Sequence, residues 1–331
     1  MMPSRPTRKQ RSLWSRLRES IPVIWALLVG VFLIAWALVS LFGRGNFIAP
    51  ANLQLIVDRS VALGVVAVGQ TFAILVASLD LSVAYLISVT AVMASFIMQG
   101  DPNRIFLAVV VVLAIGFVVG LINGLLITKA RVNPLIATLG MGLILQGILN
   151  ASFQNFAGSV PESFQVLAYG SVGPVPIPII IFVVVAGAGA WLLSQTRFGA
   201  HLYATGGDKE TARLSGIRTD RIVIGAHIVT SLTAVLSGLY LVARLRSGAP
   251  WIGTDGVYDL ESIAAVVVGG TVLAGGRGGV LGTVAGVLIF AMLDTMFSQL
   301  GVDPYLKQVL RGFIIIGAVA IYAMRSKEVV G

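Results

Sequence analysis

The sequence predicts an all-α, polytopic membrane protein of about ten transmembrane helices with both termini in the cytoplasm. Three observations carry this reading. Hydrophobic residues make up 57% of the 331-residue chain and charged residues 11%, against about 25% charged in a soluble domain. Apolar runs near the ~20 residues a helix needs to cross the hydrocarbon core follow one another along the chain. The basic residues gather in alternate loops between those runs, which orients the chain.

In order, the spans fall near 21–42, 53–77, 82–99, 105–128, 134–153, 175–193, 222–245, 257–273, 280–300 and 306–324. The pairs flanking Asp80 and Gly275–Gly279 read either as full spans or as half-helices that enter and leave through a break. Arg5, Arg8, Lys9, Arg11, Arg16 and Arg18 precede the first span. That span is roughly twice a signal h-region in length and lacks a small-residue cleavage site, so it is expected to be retained. Residues 1–20 then form a cytoplasmic, disordered basic tail able to touch anionic lipid headgroups. With the N-terminus inside, sixteen basic residues lie in the tail, at Lys129 and Arg131, between Arg197 and Arg221, at Arg277, and at Arg325 and Lys327. Four lie outside: Arg44, Arg104, Arg244 and Arg246. The transmembrane domain runs from 21 to 324, and residues 325–331 form a second cytoplasmic tail. The longest outer loop is 154–174, and the longest inner loop is 194–221.

Several function classes are excluded. There is no cysteine, hence no disulfide framework or thiolate chemistry. His201 and His227 are the two histidines, too few for a histidine-based metal site, and each reads as an ordinary loop or helix residue. No metal site is expected. The net charge of +9 is spread over loops rather than clustered on one face, so no nucleic-acid partner is expected. No GxxxxGK[ST] phosphate loop occurs. "GGTVLAGGRGGVLGT" (269–283) is glycine-rich without the lysine and reads as helix packing or a helix break. Neither paired catalytic carboxylates nor a Ser-His-Asp set stands out.

Two glycine series show how spans pack. Gly116, Gly120 and Gly124, and Gly278, Gly282 and Gly286, each recur every fourth residue. Such a series lines one helix face and admits a second backbone, within the chain or from another copy.

"GGDKETARLSGI" (206–217) is a polar island in the longest inner loop. Gly206–Gly207 permits a turn, Asp208 can cap a helix, Lys209–Ser215 supply about two turns, and Gly216 can end them in a left-handed conformation. A helix this short persists only if something packs on it. Physics alone leaves two readings, a docking knob or a solvated loop.

At this point a resemblance enters. "TRFGAHLYATGGDKETARLSGIRTDRI" (196–222) resembles the cytoplasmic loop of ribose-type monosaccharide permeases of bacterial ABC importers. "LDLSV" (79–83), "GLINGLLITKARVNPLIATLGM" (120–141) and "DLESIAAVVVGGTVLAGGRGGVLGT" (259–283) resemble further blocks of that family, in its order. Ser78-Leu79 stands where the family usually has Gly-Ile, Ala84 where it has glycine, and Leu135 where it has phenylalanine. Asp259 and Glu261 stand where it has Glu and Asp. The resemblance implies a type II ABC-importer-like fold and a permease subunit of the bacterial inner membrane. It would import a monosaccharide or polyol delivered by a periplasmic binding protein. ATP and Mg would be used by a separate ATPase subunit, with no cofactor on this chain and no catalysis by it. A second permease copy or paralogue would complete the pathway. By the match, Asp208, Lys209, Glu210, Thr211, Ala212, Arg213 and Leu214 form the coupling helix. Glu210 and Arg213 are expected to pair with the ATPase, and Ala212 and Leu214 to pack in its cleft.

For the pathway the candidates are polar groups among the spans: Gln70, Asp80, Asn123, Thr138, Gln146 and Asn150. Uncharged hydrogen-bonding groups suit a neutral polyhydroxylated solute, while interhelical hydrogen bonding is the simpler role for any one of them. Asp58 and Arg59 lie in the second span, able to pair with other helices. The alternative function is an ion-coupled secondary transporter, with Asp58 and Asp80 as its best-placed acids.

Overall fold

The computed structural model describes residues 13–43 and 45–328. Arg5, Arg8, Lys9 and Arg11 of the expected basic tail, Arg44, and the end of the second tail (329–331) lie outside the described residues. α1 (Leu13–Phe42) begins at Leu13, so the helix starts within the stretch expected to be a disordered tail.

Each expected span overlaps a helix, but the helices are not alike. Among the described residues seven are long and apolar enough to cross a membrane: α1, α2 (Pro50–Leu75), α4 (Ile105–Thr128), α5 (Pro134–Ser152), α7 (Ile177–Gln195), α10 (Thr219–Leu245) and α13 (Val280–Gln299). α3 (Val83–Met98) has 16 residues and α12 (Tyr258–Val268) has 11, both short of a full crossing. α14 (Pro304–Glu328) closes the chain. Proline at the first turn starts α2 and α5, where a missing N–H costs nothing. Asn133 also caps α5, accepting the Leu135 N–H at 2.9 Å.

The two least regular regions are breaks. After α2 the chain is non-helical over 76–82, with Ala77 at φ 56°. After α12 it is non-helical over 269–279, where Gly270, Gly275, Gly276 and Gly278 all have positive φ. Only glycine adopts that conformation routinely, which is why this stretch is so rich in it. Both long loops hold structure, the inner one including the short helix expected after Asp208. The outer one contains α6 (Glu162–Tyr169) and a two-stranded hairpin, β1 (Ser171–Val172) with β2 (Val175–Pro176). The inner one contains α8 (Arg197–Gly207) and α9 (Lys209–Leu214). A four-residue helix, α11 (Ile252–Asp255), precedes α12.

α10 and α2 form the centre. α10 packs on α2, α3 and α4; α2 packs also on α7, α12 and α13; α1 leans on α13. The first glycine series explains the α4–α10 contact. A Cβ at Gly116 would meet the Val235 side chain at 2.4 Å, one at Gly120 the His227 carbonyl at 2.7 Å, and one at Gly124 the Ile224 Cα at 2.6 Å. The second series is shorter than its spacing suggests. A Cβ at Gly282 or Gly286 would lie 2.0 Å from the carbonyl oxygen of Gly269 or Ala265 respectively. Gly278 precedes the helix, and its Cβ would strike Thr271 within its own break. Helical spacing implies a shared face only where the backbone is helical.

Candidate functional site

The polar island is a capped helix seated on the bundle. The Asp208 side chain accepts the Thr211 N–H at 2.8 Å, and this bond holds its carboxyl below the ordinary carboxylate range. Gly216 follows at φ +83°, and the Ile217 N–H returns to the Ala212 carbonyl at 3.1 Å, closing the C-terminal turn. α9 rests on α8 and α10. Ala212 is 4% exposed, so it packs within this chain and not in a partner's cleft. Leu214 is 79% exposed. Glu210 and Arg213 pair with each other at 2.5 Å while remaining open to solvent. Lys209 and Thr211 are exposed beside them.

What lies beneath α9 was not legible in the sequence. The C-terminal glycines of α8 meet both breaks, backbone to backbone. The Gly276 N–H donates to the Leu75 carbonyl at 2.9 Å. A Cβ on Gly206 would lie 1.7 Å from that same carbonyl and 2.7 Å from the Gly276 nitrogen. One on Gly275 would lie 2.8 Å from the Gly206 carbonyl and 2.9 Å from the Ala77 nitrogen. The end of α8 beneath α9, the end of α2 and the 269–279 break therefore form one junction with no side chain between them.

Four of the six pathway candidates converge just beyond it, at the first break. Asp80 is fully buried. Its Oδ1 accepts the Ser82 N–H (3.0 Å) and hydroxyl (2.5 Å), and its Oδ2 faces His227 Nδ1 at 3.0 Å. With Nδ1–H donating to the carboxyl, Nε2 is left to accept the Ser78 hydroxyl at 2.8 Å. The Gln70 amide bridges the main chain of Asp80, nitrogen to carbonyl at 3.3 Å and oxygen to N–H at 3.1 Å. Asn123 donates to Ser82 Oγ at 3.0 Å. Thr138 Oγ1 accepts the Leu81 N–H at 3.1 Å. Non-helical backbone at membrane depth is tolerated only when its polar groups find such partners, and these side chains supply them.

His227 was read from sequence as an ordinary residue, and it is instead the centre of this network. A lone histidine in an apolar span, one turn beyond Val223, offers no local sign of a partner 147 positions away. Ser78, His227 and Asp80 have the connectivity of a Ser-His-Asp triad, which the sequence did not reveal. They are at most 3% exposed and line neither cavity described below, so no substrate bond can reach the hydroxyl. The arrangement is a latch across α10 and the break.

Gln146 and Asn150 stand apart from that network, further along α5. With Gln154, Trp251, Thr254 and Asp255 they line a cleft of about 480 Å³. At the other side of the bundle, Arg59 of α2 pairs with Asp294 of α13. Arg311 of α14 bridges Asp294 at 2.6 Å and Glu261 of α12 at 3.2 Å. These groups line a cavity of about 250 Å³ with Asp58, Tyr240 and Tyr258. Asp58 takes part through its carbonyl, which accepts the Tyr240 hydroxyl at 3.2 Å. Sequence reasoning anticipated partners for Arg59 but did not name Asp294. The signal was present: two arginines at span ends and a single acid inside α13. Among the described residues no group of three or more His, Asp or Glu side chains could hold a metal ion.

Comparison with known proteins places this architecture. Residues 52–319 match the family model described as branched-chain amino acid transport system / permease component. The chain is 36% identical to the ribose import permease protein of Escherichia coli over 285 residues, covering 83% of this chain and 87% of that one. It is 36% identical to the ribose import permease protein of Bacillus subtilis, over 85% and 87% of the two chains. It is 32% identical to the galactose/methyl galactoside import permease protein of Escherichia coli, over 89% and 94%. No solved structure matches the chain. A match of this extent, on a bundle with seven membrane-length helices, makes this chain a multi-pass membrane protein belonging to the branched-chain amino acid transport system permease family.

Proposed function

We propose that this chain is the membrane-spanning permease subunit of a bacterial ABC sugar importer, residing in the inner membrane. The observation that carries this reading is its likeness to ribose and galactose import permeases over more than four-fifths of its length. Ten helices, two of them half-length and joined to their neighbours through the breaks, are the membrane domain over 21–324. Both termini are cytoplasmic, as the charge asymmetry favours. A periplasmic binding protein delivers the sugar, and a second permease copy or a paralogue completes the pathway. A separate ATPase binds ATP and Mg and docks on α9 within the 194–221 loop. Leu214 is the apolar contact of that docking, with Glu210 and Arg213 as the charged rim that sets partner choice.

The reading supplies a mechanism from the parts. Closure of the ATPase pair pushes α9. The push passes through Gly206 into the Leu75–Gly276 junction without a compressible side chain in the way. The two breaks then shift α3 and α13 relative to α10, and the pathway changes the side to which it opens.

The test is extraction of the tagged chain in mild detergent and identification of what accompanies it. An ATPase subunit is expected with the native chain and is expected to be lost from Glu210→Lys/Arg213→Glu. That double variant preserves the intrahelical pair by reversing it, so loss of the partner reports the partner's contact and not unfolding of α9. Absence of any ATPase under gentle extraction would overturn the assignment.

A further inference from the structure

We propose that the cleft between α5 and α11 is a binding station for a neutral monosaccharide, with Trp251 as its stacking face and Gln146, Asn150 and Thr254 as its hydroxyl partners. This rests on the importer reading and names where its substrate is held.

The stripe that builds it is read along one face of α5. Thr138, Gly142, Gln146 and Asn150 recur every four residues and so share that face. Thr138 holds the break through Leu81. Gly142 admits the Tyr85 ring, which a Cβ would meet at 2.4 Å. One and two turns further, Gln146 and Asn150 line the cleft. The opposite wall is α11, where Trp251, Thr254 and Asp255 are spaced at i, i+3 and i+4. That wall is fixed in place. The Gly253 N–H donates to Ser88 Oγ of α3 at 3.0 Å, and a Cβ at Gly253 would lie 1.8 Å from the Ala84 carbonyl. The Trp251 ring is held edge-to-face against Phe156 at 5.3 Å.

The chemistry selects the ligand class. A cleft of about 480 Å³ lies within the roughly 300–1,000 Å³ of small-molecule sites. Its lining is three amides, the Thr254 hydroxyl, the Trp251 indole, Phe153 and Pro250, with Asp255 the one ionisable side chain; the Thr254 hydroxyl donates to the Trp251 carbonyl at 3.0 Å and is left to accept. The Gln146, Asn150 and Gln154 amides take no part in the hydrogen bonds among the described residues, so interhelical bonding does not account for them. The second cavity has the opposite character: its arginines and acids already neutralise one another. Free amides exchange hydrogen bonds with sugar hydroxyls, and an aromatic face covers the apolar C–H side of a pyranose or furanose. An anionic sugar phosphate would meet Asp255 with no cation in the lining. Both walls are carried by α3, which begins directly after Ser82. A shift of the Asp80 break therefore moves the station.

The experiment is saturation-transfer NMR on the purified full chain in detergent, with ribose, galactose and glucose 6-phosphate as probes. It is run on the native chain, Trp251→Ala and Asn150→Leu, each checked by thermal unfolding. Saturable transfer to a neutral sugar is expected, with at least a threefold loss in both variants and none to the sugar phosphate. Asn150 is exposed, so Asn150→Leu folds even where Trp251→Ala does not. No saturable transfer to either neutral sugar, or transfer unchanged in Asn150→Leu, overturns the station. Neither result depends on an ATPase partner, whose absence on extraction would instead count against the importer reading.

Discussion

Gly206→Ala is the substitution that most directly tests the junction under α9. The added methyl would sit 1.7 Å from the Leu75 carbonyl oxygen, 2.8 Å from its carbon and 2.7 Å from the Gly276 nitrogen. Ordinary contact begins at 3.4 Å, so α8 must part from the end of α2 by about 1.7 Å and from the 269–279 break by about 0.7 Å. No flexible side chain is present to yield, because all three neighbours are backbone. Overpacking of this kind costs about 1–3 kcal/mol. Turning the Leu75 carbonyl aside to make that room also breaks the 2.9 Å bond it accepts from the Gly276 N–H, leaving buried polar groups at about 1–3 kcal/mol more. At roughly 2 °C per kcal/mol for a chain of this size, the apparent melting temperature should fall by about 4–12 °C. Sugar uptake should fall further than the loss of folded protein explains, while an ATPase still co-purifies. The matched control is Gly207→Ala, one residue on, where a Cβ meets nothing within 4 Å. Thermal unfolding of the detergent-solubilised protein and uptake per folded molecule are the assays. If Gly206→Ala melts and transports like Gly207→Ala, the junction does not carry motion between α9 and the breaks.

Three further outcomes follow from the same geometry. His227→Ala removes one partner of a fully buried pair and leaves Asp80 facing a void, so it should destabilise by about 3–5 kcal/mol in a thermal or denaturant unfolding assay. Arg311→Met strips Asp294 and Glu261 of a shared cation; because those groups are only partly buried, the loss should fall below that ~3–5 kcal/mol range, and the unfolding of Arg311→Met measured beside His227→Ala checks the order. Asp208 has its carboxyl held below the ordinary value of 3.8 by the Thr211 N–H. The cap is therefore fully present above pH 3.8 and is lost as pH falls through the lower folded value. ATPase retention by the tagged chain should be flat from pH 5 to 8, and a loss within that window that Asp208→Asn abolishes would contradict the capping role.

The helices were legible because a membrane span declares itself by length and apolarity, and the ten expected runs each overlap one. The cap at Asp208 and the left-handed turn at Gly216 were legible because both are local: the deciding atoms lie within four residues. What failed to show was non-local or depended on context. α8 did not stand out in the inner loop, since its apolar face is short and its partners, Phe72 near Phe198 and the pocket around Leu202, come from distant spans. Gly278 shared the spacing of Gly282 and Gly286 but not their helix. Ala212 belongs to α9 but not to its outer face, because α9 sits on α8 and α10. The candidate polar set was right in chemistry and mixed in place. Gln70, Asp80, Asn123 and Thr138 hold a break together, whereas Gln146 and Asn150 open onto a cleft. Sequence could list hydrogen-bonding groups, but only the fold decides which of them already have partners.

That division bears on the alternative of an ion-coupled transporter. Such a protein needs an intramembrane acid with a free oxygen and a route to it. Asp80 has neither: Oδ1 takes two donors from Ser82, Oδ2 faces His227, and the residue is fully buried. Asp294 and Glu261 are engaged by arginines. Those acids are thus committed to holding helices, whereas at the cleft the Gln146, Asn150 and Gln154 amides and the Asp255 carboxylate make no hydrogen bond among the described residues. Of the two acids on which that alternative rests, Asp80 is committed to structure, and uptake by Asp58→Asn in the presence of an uncoupler decides the other. Under the importer reading proposed above, the work enters from outside, and the exposed end of α9, joined through Gly206 to both breaks, is where the fold can receive it.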